Sequence, residues 1–417
     1  MRALWRQTRS FSPAARLLMV NQFAINLAFY MLMPYLATHL ADDLGLAAWT
    51  VGLVLGMRNL SQQGMFLIGG TLADRYGYRA PIIAGCLLRT AGFALLGSVD
   101  SLPALLAASA ATGFAGALFN PAVRAYLAAE AGGRRVDAFA AFNVYYQAGM
   151  LLGPLVGLAL LAADFAAVCT AAAAVFAALT VLQWRALPAR RGGVERGRDS
   201  VLAQWRTVVA NRPFLLFSGA MIGSYVLTFQ VYLALPLAAD LALGVDGSKA
   251  TTGLFVLSAA VAVAGQLRLT GWAGRVWTPS RALVRGLAAM GAAFVPLALL
   301  PRSGAVAQLV ALAVAAAVLA AAGAVVYPFE MDTVVTLARG RLVATHYGLY
   351  NTVSGLGITL GNLAVGALWD YAARHDARCL PWLALAATGL LCAAAVHRLA
   401  RTGRLPHPAE EAAVSPA

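Results

Sequence analysis

Long apolar runs separated by short polar clusters fill almost the whole chain. Twelve can be marked, at about 16–40, 49–72, 81–98, 102–129, 139–162 and 165–184, then 214–239, 250–270, 280–300, 305–334, 342–371 and 381–400. Each is close to the ~20 residues with which a helix crosses a bilayer. The predicted fold class is therefore an all-α polytopic membrane protein. A polar stretch rich in Arg and Gly, 185–212, divides the runs six and six. It contains Gln204-Trp-Arg-Thr-Val-Val-Ala, which reads as a short helix lying on the membrane surface. The expected organisation is a first bundle at 1–184, a cytoplasmic linker at 185–212, a second bundle at 213–400 and a disordered Pro- and Ala-rich tail at 401–417.

The two sets of six resemble each other. In the fifth run Gly149, Gly153 and Gly157 recur every fourth residue, with Pro154 among them. On a helix that spacing leaves one face without side chains, and another helix can approach it closely. Pro154 removes one backbone hydrogen bond and should bend the helix. The expected partner of this face is a helix of the other half. A second copy follows: Asn143, Gly149 and Gly153 match Asn351, Gly357 and Gly361, in each case 208 residues on. Gly116-Ala-Leu-Phe-Asn-Pro121 reads against Gly323-Ala-Val-Val-Tyr-Pro328, and Asp164 against Asp370. A half-length repeat in a membrane chain predicts two similar bundles, as in transporters.

Composition agrees with this. The chain is 61% hydrophobic and 12% charged, about half the ~25% charge of soluble domains. Its net charge of +14 raises the question of nucleic acid, but the placement of the cations answers it. With the N-terminus inside, the inner loops hold Arg75, Arg79, Arg134, Arg135, the cations of 185–212, Arg275, Arg281, Arg339, Arg341 and those of 398–404. The outer loops hold Asp42, Asp43, Asp100, Asp240 and Asp246, with only Lys249, Arg302, Arg374 and Arg378 as cations. Arginines on the inner side face an anionic leaflet, so the partner is the lipid bilayer and no nucleic acid is implied. The expected location is the cell (inner) membrane, with both termini cytoplasmic. Residues 1–15 carry Arg2, Arg6 and Arg9 without a cleavage pattern and read as a cytoplasmic tail. The four cysteines form no ligand spacing, so no metal or cofactor is expected. Neither His-Glu-x-x-His nor Gly-x-Ser-x-Gly occurs, and no paired carboxylates lie at mid-membrane, which argues against an enzyme.

The turn after the second run reads Gly70-Thr-Leu-Ala-Asp74-Arg75-Tyr-Gly77-Tyr-Arg79. This Gly-x-x-x-Asp-Arg-x-Gly-x-Arg pattern resembles the loop signature of the major facilitator superfamily. The Gly149–Gly157 stretch resembles the fifth-helix motif of its drug:proton antiporter branch, and Arg58-Asn-Leu-Ser-Gln-Gln-Gly64 resembles the MdtH-like exporter group. The resemblance covers essentially the whole chain. It implies twelve helices in two six-helix bundles related by a pseudo-two-fold axis around a central cavity, a monomer, and proton-coupled export of small molecules by alternating access. It further implies that Asp74 docks on the start of helix 11 and that Arg75, with Arg79 nearby, contacts Glu130 at the inner end of helix 4. These contacts would latch the outward-facing conformation. The second-half counterpart, Thr270-Gly-Trp-Ala-Gly274-Arg275, has Gly where Asp74 stands.

The sequence departs from that branch in two places. Ser109-Ala-Ala-Thr-Gly113 in the fourth run holds no cation, and the first run holds Asn21, Gln22 and Asn26 rather than an acid. Glu330 and Asp332, just past Pro328, are the deepest acids and the candidates for proton coupling, with Arg124 at the equivalent end of helix 4 as their expected partner. Arg58 and Arg89 lie deep in their runs. A cation there either snorkels toward an interface or faces the bundle interior, where it would bind anionic groups or tune a proton site. The expected cavity wall combines them with Asn26, Tyr30, Gln62, Asn143, Tyr146, Gln147, Tyr225, Phe229, Tyr232, Tyr327 and Asn351. Tyr225, Phe229 and Tyr232 would form one stripe on helix 7. An importer or facilitator of a small polar or anionic solute is the alternative on the same fold.

Overall fold

The computed structural model describes residues 2–189, 200–244, 247–300 and 304–405. The linker cations from Arg190 to Arg198, Asp246, Arg302 and the tail from residue 406 onward lie outside the described residues. The described chain is helical almost throughout: α1 (Arg2–Arg9), α2 (Pro13–Thr38), α3 (Ala48–Tyr76), α4 (Arg79–Leu96), α5 (Leu102–Ala131), α6 (Arg135–Leu161), α7 (Phe165–Ala186), α8 (Val201–Ala210), α9 (Arg212–Phe229), α10 (Ala234–Leu243), α11 (Gly247–Val276), α12 (Pro279–Ala292), α13 (Val295–Leu299), α14 (Ala305–Ala338), α15 (Val343–Arg374) and α16 (Leu380–Arg401). Among the described residues, ten continuous helical stretches are long and apolar enough to cross a membrane, one of them holding both α5 and α6. The helix α3 is not among them, because Arg58, Asn59, Ser61, Gln62 and Gln63 interrupt its apolar run.

Prolines act in two ways. The predicted seventh helix is broken: α9 ends at Phe229, a 3-10 turn covers Gln230–Tyr232, and α10 restarts at Ala234. Pro236 explains the place, since its ring clashes with the carbonyl four residues back, that of Tyr232. Likewise α12 ends at Ala292, four residues before Pro296, and α13 restarts at Val295. The break corrects the expected aromatic stripe: Tyr225 and Phe229 lie on α9, whereas Tyr232 leaves the α-helical register. Its ring instead packs 5.6 Å from Phe229 and 5.2 Å from Phe255. In contrast Pro34, Pro121, Pro154 and Pro328 lie inside unbroken helices.

Two of these tolerated prolines occupy equivalent places in the repeat, and their freed carbonyls have different neighbours. Pro328 cannot donate to the carbonyl of Ala324. That oxygen accepts instead from Gln266 Nε2 at 2.6 Å and Thr270 Oγ1 at 2.8 Å, both on α11. Pro121 likewise frees the carbonyl of Ala117. This oxygen is pressed against Gly69 of α3, where a Cβ would collide with it. One half satisfies the carbonyl by side chains; the other uses a glycine to bring the whole backbone near.

Two compact units result. The first comprises Met1–Asn211 together with Val334–Thr352, the last residues of α14 and the first turns of α15. Within it α2 packs on α6 and α7, and α4 packs on α5 and α7. The glycine face of α6 belongs to this packing. Cβ atoms at Gly149, Gly153 and Gly157 would run into Phe23, Tyr30 and Met31 of α2. The expected partner in the other half is thus corrected: the seam closes on α2 of the same half. Helix α6 continues through Pro154, whose carbonyl accepts the Tyr35 hydroxyl at 2.7 Å. The second unit comprises Arg212–Thr333 and Val353–Ala417. Here α16 packs on α12 and α9, and the repeated glycines Gly357 and Gly361 of α15 meet Ile222 and Val226 of α9.

Candidate functional site

Two constellations in the first unit gather most of the residues singled out by sequence. The first lies at the end of α3. Helix α15 begins with no acidic residue in its first turn, so its first N–H groups need an acceptor from elsewhere. Asp74 supplies it. Its Oδ1 accepts from Ala344 N at 3.2 Å, and its Oδ2 accepts from Thr345 N and Thr345 Oγ1, both at 2.7 Å. Carboxylate against a helix amino terminus is favourable both as hydrogen bonding and as charge against dipole. Asp74 is only 5% exposed, so these bonds are little screened. Backbones approach closely on both sides of it: Gly70 fits against Ala344, and Gly348 against Phe66. Gly77, at φ 86° after the end of α3, makes the turn that a side chain would strain.

The other expected residues are placed as follows. Arg75 is exposed. Arg79 donates to the carbonyl of Trp184. Glu130 accepts from the Ser12 hydroxyl at 2.5 Å. Trp205 of α8 donates its indole N–H to Thr71 at 2.9 Å, and Asn211 donates to the carbonyl of Leu337 at 2.9 Å. Thus α8 is fastened to α3. Arg124 donates to Asn351 Oδ1 at 2.7 Å, and Thr352 to the carbonyl of Gln63 at 3.1 Å. Glu330 and Asp332 are buried, 3% and 7% exposed. Asn143 is buried too, and Gln147 half-buried.

The second constellation is deeper. Arg58 and Arg89 each lie ten residues from the start of their helices, ~15 Å along the axis. Both guanidiniums stand over Phe29 of α2, with Arg58 Cζ 5.4 Å and Arg89 Cζ 4.8 Å from its ring centre. Arg89 also lies 5.3 Å from the centre of Phe176, so it sits between two rings. Arg58 donates to Asn59 and, at 3.4 Å, to Gln62. Tyr30 stands edge-on to Phe29, and its hydroxyl lies 3.2 Å from that of Tyr146. Asn26 donates back to its own helix, to the carbonyl of Gln22 at 2.7 Å. A cation at this depth costs at least ~2.5 kcal/mol, and each aromatic face recovers ~1–2 kcal/mol.

The remaining expected wall residues, Tyr225, Phe229, Tyr232 and Tyr327, belong to the second unit. Phe29 and Thr345 were not reached from sequence. Phe29 is one aromatic in an apolar run, and only its two arginine neighbours distinguish it. Thr345 could have been found as a hydroxyl residue in the first turn of an acid-free helix.

Comparison with known proteins fits this arrangement. A sequence profile of the Major Facilitator Superfamily matches residues 18–407. The chain belongs to the major facilitator superfamily. It is 54% identical over 394 residues to the uncharacterized MFS-type transporter Rv0849 of Mycobacterium tuberculosis, covering 94% of each chain. It is 29% identical over 398 residues to the multidrug resistance protein MdtH of Yersinia pestis, covering 95% of this chain and 96% of that one. In structure it resembles the fucose:proton symporter FucP of Escherichia coli, with a TM-score of 0.75 at 14% identity, over 94% of this chain and 98% of that one. This member of the superfamily is an all-α, multi-pass membrane transport protein and not an enzyme.

Proposed function

We propose that the protein is a secondary active transporter exporting drugs or small metabolites against proton entry, by alternating access, as a monomer in the cell (inner) membrane with both termini cytoplasmic. The observation that carries this reading is the Asp74 clasp on α15. It joins the end of a first-half helix to the start of a second-half helix through three hydrogen bonds, and such a contact can be made in one state and released in another. Gly70, Gly77, Arg75, Arg79 and Glu130 support the clasp. The seam of Gly149, Gly153 and Gly157 with Pro154 keeps α6 and α2 moving together. Residues 185–212 serve as the linker between bundles at 1–184 and 213–400. The drug-export element rests on likeness to MdtH across nearly the whole chain. Glu330 and Asp332 are the proposed proton carriers.

The test is transport in everted membrane vesicles with an imposed pH gradient and a panel of labelled compounds. A lumen made acidic should drive accumulation of at least one compound, and collapsing the gradient should release it. Accumulation that ignores the gradient would remove proton-driven export. The second reading, import or facilitated passage of a small anionic solute, is favoured by Arg58 and Arg89. It predicts gradient-independent or inward movement of an anion in right-side-out vesicles.

A further inference from the structure

Arg89 is 6% exposed and carries five N–H donors. Among the described residues no carboxylate pairs with it or with Arg58, and the Nε of each has no hydrogen-bond partner. A buried cation, Arg89, and a half-buried one, Arg58, therefore share one aromatic ring with no protein anion between them. Structural burial of Arg ordinarily ends on a carboxylate or a carbonyl. Here the chain provides aromatic faces, which accept the cation but leave the Nε–H of each guanidinium unused. Beside them a glycine leaves just enough room for the two side chains to meet the helix wall. A Cβ at Gly116 would lie 3.0 Å from Arg89 Nη2 and 3.1 Å from the Gln62 amide carbon. Arg89 and the Arg58-bonded Gln62 thus converge over a glycine. The hydroxyls of Tyr30 and Tyr146, 3.2 Å apart, add neutral donors next to Phe29.

We propose that Arg58 and Arg89 form an anion-recognition site inside the first unit, taking the carboxylate of an aromatic or other apolar-bodied organic acid. Guanidiniums present donors in a fork that fits a carboxylate. The carboxylate supplies the missing counter-charge, and the rings around it take the apolar body. This rests on the reading of the chain as a small-solute transporter and narrows its substrate class to organic anions.

The experiment measures binding to the purified full-length protein in lipid nanodiscs. The probes are 4-phenylbutyrate and 1-naphthoate, their neutral amides, and the amines of the same carbon skeletons. The carboxylates should bind at least tenfold more tightly than the amides and amines. Arg58→Gln and Arg89→Gln should each remove that preference, and Arg89→Lys should keep part of it. The comparison among ligands on the unaltered protein needs no variant, so misfolding of Arg89→Gln leaves it intact. Equal binding of acid and amide, no binding of either acid, or a preference that survives both Gln variants overturns the site. Carboxylate preference without pH-driven movement in vesicles would sink proton-driven export and leave the site standing. Gradient-driven export of amines alone, with no carboxylate preference, would do the reverse.

Discussion

Asp74 and Thr345 form a two-point contact in which one carboxylate oxygen takes both the backbone N–H and the side-chain hydroxyl of the same residue, each at 2.7 Å. The other oxygen takes Ala344 N at 3.2 Å. Bonds of this charge-assisted kind contribute ~1.5–3 kcal/mol each. Asp74→Asn keeps the size, removes the charge and turns one acceptor into a donor. If ~1.4 kcal/mol of the clasped state is lost, its population falls about tenfold. Transport kinetics should show turnover reduced by about that factor with KM changed less than about threefold. Cysteines placed on the outer side should become less accessible as the inward-facing form fills. Unchanged accessibility would count against the clasp as a conformational lock.

The seam between α6 and α2 predicts a different kind of loss. A Cβ at Gly153 would lie 2.7 Å from Tyr30 Cβ and 3.0 Å from the carbonyl of Leu27. Backbone atoms cannot move aside as a flexible side chain can, so bulk must separate the helices. Gly153→Leu should abolish transport while the protein still reaches the membrane. Gly52→Ala, at a glycine with nothing within 4 Å of its Cβ position, should behave as the unaltered protein. Full activity of Gly153→Leu would remove the seam from the account.

Pro328 and its freed carbonyl offer a test of non-additivity. Gln266 and Thr270 both donate to the oxygen of Ala324. Gln266→Leu or Thr270→Val alone leaves one donor in place and should cost ~0.5–1 kcal/mol. The double variant strands a buried carbonyl and should cost ~2–3 kcal/mol, more than the two single effects together. Thermal unfolding in detergent or nanodiscs gives the comparison. Strict additivity would show that the carbonyl finds another partner.

The same carbonyls show where sequence reasoning reaches and where it stops. Apolar runs mark the membrane helices because lipid admits little else. The prolines are equally visible, yet Pro236 and Pro296 follow breaks while Pro121 and Pro328 lie in unbroken helices. For Ala324 the outcome depends on two side chains 54 and 58 residues away in the chain, which no local pattern contains. The glycine spacing of α6 announces that a helix comes close, but three glycines do not say which one. Arg58 and Arg89 were legible as cations too deep to be ordinary. That both would share Phe29 was not, since the ring lies on a third helix and no periodicity links the three.

Coupling is the remaining question, and Glu330 and Asp332 carry the prediction. Both lie on α14 beyond Pro328 and are buried at 3% and 7% exposure. A proton-coupled cycle needs a carboxylate whose proton affinity differs between two conformations. A buried acid whose surroundings differ between the two states meets that need, because its desolvation and its neighbours change together. Arg124, the expected counter-charge, donates to Asn351 Oδ1 at 2.7 Å. Glu330→Gln and Asp332→Asn, singly and together, should leave substrate exchange within about twofold. At least one single variant should lose uphill export about tenfold or more, a loss of ~1.4 kcal/mol or more in driving the cycle. Measuring both in proteoliposomes separates coupling from general damage, since a misfolded variant loses exchange as well. If the double variant still exports uphill in response to pH, neither acid carries the proton.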